Sequence, residues 1–193
     1  MSYLEQFSRD EREFLASLPY RTGLWISESD DSGGDDADEA EKNALRALIT
    51  GYTEDFLKSE FVEELMKATL HYKEKWPEWE KSLDTLPDDC ARGLALLEGR
   101  LDVNSVLSFR QSLMEIANTV AMAYREFDES QDGTVDVIRM YVRYYKAVIT
   151  AKIAKAQPPT MDEIFNISHD ELQALRSLSQ ILQVDMQGRA RSA

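Results

Sequence analysis

The chain has 193 residues, with 36 acidic against 22 basic side chains and a formal charge of −14. That length suits one core, or one core with an appendage, and the acidic balance argues against a nucleic-acid surface because phosphate repels carboxylate. No basic-then-apolar leader and no apolar run of membrane-spanning length stands out, and a single cysteine, Cys90, excludes an intrachain disulfide, so a reducing cytoplasm is the expected compartment.

Helical periodicity runs through most of the chain, and no alternating segments bounded by hairpin turns compete with it. Ser8-Arg-Asp-Glu11 forms a capping box ahead of Phe14, Leu15 and Leu18 and predicts a short first helix. Pro19 suits the first turn of a second helix reaching about Ser29, since the amide it lacks would be unpaired there. Residues 30–38 contain Gly33-Gly34 and almost nothing apolar, so a loop is expected, followed by a helix that buries Leu45, Leu48, Ile49 and Tyr52. Ser59 caps the next helix, with Phe61, Leu65, Thr69 and Tyr72 on one face. Trp76-Pro-Glu-Trp79 reads as a tight corner, and a helix after Pro87 should end near Gly99.

The clearest periodicity spans about 103–127, with Val106, Phe109, Leu113, Ile116, Val120 and Ala123 at core spacing. A loop at 128–133 precedes a helix from Thr134 to about Ala156, ended by Pro158-Pro159. Two further capping boxes, Thr160–Glu163 and Ser168–Glu171, follow. The second opens a helix carrying Leu172, Leu175, Leu178 and Leu182, which either dock in the chain's own core or form a homodimer seam; the spacing leaves both open. The expectation is an all-α, compact multi-helix bundle. Its expected divisions are a helical domain over 1–157, an appended helical segment over 158–187, and a disordered tail over 188–193.

Shifting the chain by 98 residues places Glu28, Asp30, Ser32 and Asp38 opposite Glu126, Asp128, Ser130 and Asp136. Both stretches sit between helices, which is the pattern of two pseudo-repeated halves. Ordinary helix–acidic loop–helix segments would share a few carboxylates in the same way.

The first of these loops carries the strongest chemical signal. Residues 28–41 hold eight carboxylates and no base, so removing them takes the charge from −14 to −6. Such crowding is costly unless the charges are solvated, screened or neutralised, and hard divalent ions take six to eight oxygens. Asp30 to Glu41 is twelve residues, the length of a helix–loop–helix calcium loop, but Asp35 stands where the sharp turn wants glycine. In the second loop Asp128, Ser130, Asp132 and Gly133 match the front of that pattern, while Arg139 replaces the closing carboxylate. The residues therefore allow weak, partly hydrated Ca²⁺ or Mg²⁺ binding, more readily in the first loop. The candidate ligands are Asp30, Asp31, Asp35, Asp38 and Glu41, with Glu126, Asp128 and Asp132 in the second half.

The run Trp25-Ile-Ser-Glu-Ser-Asp-Asp to Asp38-Glu-Ala-Glu41 resembles the TerB-like domains of tellurite-resistance-associated proteins. The later stretch from Ile116 through Glu126 to Asp128 is similar to the second acidic segment of such domains. The likeness covers about Leu15 to Ala156 and rests on short, degenerate motifs. It implies two pseudo-repeated helical halves, cation binding through Asp30, Asp31, Glu41, Glu126 and Asp128, and a role in metal or chemical stress rather than catalysis. Arg139 puts the second of these sites in doubt.

Other constellations are thin. His71 and His169 lack the Glu-x-x-His, His-Glu-x-x-His and Cys/His spacings of di-iron and zinc sites, and the glycine-rich nucleotide and hydrolase signatures are absent from the sequence. No nucleotide, haem or zinc is therefore expected. Glu63-Glu64 reads as a solvated face, Cys90 as a partly buried thiol, and the tryptophans as core or corner. The functional expectation is a non-enzymatic, cytoplasmic cation-binding domain with an unidentified protein partner. The alternative is a metal-independent adaptor using its acidic surface and C-terminal helix.

Overall fold

A computed structural model describes residues 2–29, 45–46, 48–50, 59–123 and 169–189. Among the described residues six helices pack together: α1 (Arg9–Ser27), α2 (Glu60–His71), α3 (Trp76–Trp79), α4 (Leu86–Glu98), α5 (Val103–Ala123) and α6 (His169–Ile181). Short 3₁₀ turns precede α1 and flank α3, and among the described residues no strand or sheet occurs. The all-α bundle read from the periodicity is the architecture observed.

The first helix departs from its expected form. Instead of breaking before Pro19, α1 runs through it as one helix of 19 residues. An interior proline removes one backbone bond and costs about 3 kcal/mol. Here the surrounding residues are the centre of the core: Leu15, Ala16, Leu18, Tyr20 and Ile26 are fully buried. Fully burying a large apolar side chain contributes roughly 1.5–3 kcal/mol, so several together outweigh one lost bond. The capping box works as read, with Ser8 Oγ accepting from Glu11 N–H and Glu11 accepting from Ser8 N–H.

The other helices assemble around α1, which packs against α2, α4, α5 and α6. Glycine permits the closest approaches: a Cβ at Gly93 would lie 2.7 Å from Leu18 Cδ1, and one at Gly23 would lie 2.3 Å from Leu45 Cδ1. Ser59 caps α2 by accepting from Val62 N–H. Trp76 sits in the corner, stacked 4.1 Å from Tyr20 and donating its indole N–H to the Thr69 carbonyl.

The leucines of α6 and its end dock within the chain: Leu175, Leu178 and, just past the helix, Leu182 are buried against its own core. The helix ends in a Schellman motif, with Val184 N–H on the Ser179 carbonyl, Gln183 N–H on Gln180, and Gln183 at φ 54°. Gly188 and Arg189, at the start of the expected tail, form part of a closing turn, since Gly188 N–H meets the Asp185 carbonyl and Asp185 N–H meets that of Arg189.

Candidate functional site

All eight candidate cation ligands, Asp30, Asp31, Asp35, Asp38, Glu41, Glu126, Asp128 and Asp132, lie outside the described residues, as do Arg139 and the helix expected after Thr134. The ends of the first acidic segment are described. On one side α1 closes at Ser27, Glu28 is its C-cap, and Ser29 Oγ donates to the Ile26 carbonyl. On the other, Leu45 and Ile49 are buried, with Leu45 pressed onto Gly23 of α1. The described residues on either side of 30–44, Ser29 and Leu45, thus both contact the C-terminal part of the same helix. The C-terminal, negative pole of α1 lies at Ser27–Glu28, with no basic residue in the last turn to offset it. Among the described residues no group of three or more His, Cys, Asp or Glu is placed to hold a metal.

Sequence reasoning missed a charged cleft of about 790 Å³ between α1, the 73–85 corner and the start of α4. Its buried end is Arg21, 3% exposed, whose Nη2 donates to the Ser82 carbonyl, to Thr85 Oγ1 at 3.0 Å and to Asp89 Oδ2 at 2.8 Å. The signal was present as an arginine inside the apolar run from Leu15 to Ile26, but its carboxylate partner lies in another helix. Among the described residues Arg21 Nε finds no acceptor. Nearer the opening, Lys75 pairs with Glu13, and the Arg92 guanidinium lies 3.7 Å above the Phe14 ring with only a 3.6 Å contact to Asp89.

The cysteine beside this pair is inert by placement. Cys90 is fully buried, and desolvation pushes its thiol up to about 12, against the opposing effect of the Arg21 charge. The Glu63-Glu64 pair divides its work rather than forming one solvated face. Glu63 pairs with Lys67, whereas Glu64 accepts from Ser2 Oγ and from the N–H groups of Tyr3 at 2.7 Å and Leu4 at 3.1 Å, fastening the N-terminal turn to α2. His71 is exposed at the end of α2, with its ring edge-on to Tyr72.

No protein-family model, curated protein or solved structure matches the chain.

Proposed function

We propose that the chain is a non-enzymatic helical module whose acidic segment, residues 28–41, binds Ca²⁺ or Mg²⁺ weakly. The supporting observation is the double anchorage: Ser29 hydrogen-bonds α1 at one end of the segment, and Leu45 packs on Gly23 of α1 at the other. Tethered ends limit how far Asp30, Asp31, Asp35, Asp38 and Glu41 can separate, so a cation that neutralises them relieves a repulsion that the fold would otherwise sustain. On this reading the module is TerB-like, acts in the cytoplasm in a metal or chemical stress response, and relays ion occupancy to a protein partner. Glu126, Asp128 and Asp132 form the weaker second candidate, with Arg139 in place of a closing carboxylate.

A site with a dissociation constant of about 10⁻⁴ M would be saturated by about 10 mM ion and would stabilise the fold by about 2.7 kcal/mol. For a chain of this size that is a rise of roughly 5–10 °C in melting temperature. Thermal melts with and without calcium or magnesium test it, using Asp31→Asn/Asp35→Asn as the comparison. The rise should be present in the wild type and largely lost in the variant; an equal rise in both, or none in either, contradicts the assignment.

The metal-independent adaptor reading draws on the acidic surface and the C-terminal helix. With Leu175, Leu178 and Leu182 in the core, a partner on α6, or a second copy of the chain, would meet its exposed Gln173, Arg176, Ser177 and Gln180.

A further inference from the structure

The cleft beside Arg21 has a charge pattern that the fold leaves incomplete, and it stands apart from the acidic segment and from the cation reading. Arg21 with Asp89 and Lys75 with Glu13 are ion pairs. Three other charged lining residues, Arg9, Asp10 and Glu78, are exposed and make no ion pair among the described residues, and Arg92 is held only loosely by Asp89. The groups left available are therefore two cations and two carboxylates. An anion or a cation entering alone would meet one attractive and one repulsive set. A ligand bearing both charges satisfies the two sets together, with no net charge brought into the site.

Length narrows the ligand further. The lining residues of α1 extend from exposed Arg9 to Arg21 at the buried end, about 18 Å at 1.5 Å per residue. An extended peptide covers that distance in about five residues. The exposed carboxylates of Asp10 and Glu78 line the cleft together with Arg9, and the Arg92 guanidinium sits over Phe14, one helical turn beyond Asp10. A basic side chain at the first position and an acidic one two residues away match that separation. Trp79 contributes an aromatic wall to the same cleft.

We infer that this cleft is a docking site for an extended peptide segment in which a basic and an acidic residue alternate. The test uses two capped pentapeptides, one with lysine second and glutamate fourth and one with the order reversed, beside controls carrying two lysines or two glutamates. Binding is read from the Trp79 indole N–H resonance at millimolar peptide and low ionic strength, since such contacts are screened by salt. The wild type should bind a mixed peptide several-fold more tightly than either control and should prefer one order. In Glu78→Lys/Arg92→Glu, whose fold is checked by circular dichroism, the preferred order should invert; if that variant does not fold, Arg92→Glu alone should lose the preference. Equal response to all four peptides, no response to any, or an order preference unchanged by charge reversal overturns the assignment.

Discussion

Glu11 shows how one side chain serves two structures. It closes the capping box of α1 and, through both carboxylate oxygens, accepts from Arg100 beyond α4 at 2.8 and 2.9 Å. The Arg100 hydrogen bonds, followed by the Ser8 N–H, lower its pKa from 4.5 to about 2. A carboxyl group whose pKa is depressed by folding contributes stability that is complete above the unfolded value and is lost as pH falls through the folded value. Glu11→Gln should therefore melt below the wild type at neutral pH, and the gap should close as pH falls from about 4.5 towards 2. Melting curves across that range measure it; a gap of constant size would show that the charge contributes nothing. The Ser8–Glu11 half of this arrangement was readable from spacing alone. Arg100 was not, because nothing local marks which of 22 basic residues will lie near a given acid in the fold.

At the scale of elements, periodicity and caps located α2, α4, α5 and α6, since each has an apolar stripe that must be buried. The reading of α1 failed at Pro19 because the local cost of proline was visible and the burial around it was not. The end of α6 was missed for a related reason: its C′ position is Gln183, not the glycine that usually signals this motif. A non-glycine residue in the left-handed region costs about 1 kcal/mol. Gln183→Gly should raise stability by about 0.5–1 kcal/mol despite losing the hydrogen bond from Arg110 Nη1 at 3.1 Å, whereas Gln183→Val should lower it by about 1–2 kcal/mol. Denaturant midpoints at constant slope check both, and a destabilising glycine would mean that the Arg110 contact outweighs the backbone strain.

For the whole molecule, charge and core are separable. The described core is largely apolar and centred on α1, and the Arg21–Asp89 ion pair within it is mostly shielded on both sides. More than half of the net charge of −14 comes from the single segment 28–41. Composition made that segment stand out, while the balanced charges of the cleft cancel in any count and emerge only when helices from distant parts of the chain are brought together. The proposed function rests on the unbalanced segment: it assigns a cation to carboxylates whose flanking residues are fastened to one helix. Calorimetric titration of the full chain with calcium, and separately with magnesium, measures this directly. The account predicts a saturable heat with a dissociation constant of about 10⁻⁴ to 10⁻³ M, abolished in Asp31→Asn/Asp35→Asn. Heat no greater than dilution for both ions, or an isotherm unchanged by that double substitution, would contradict it.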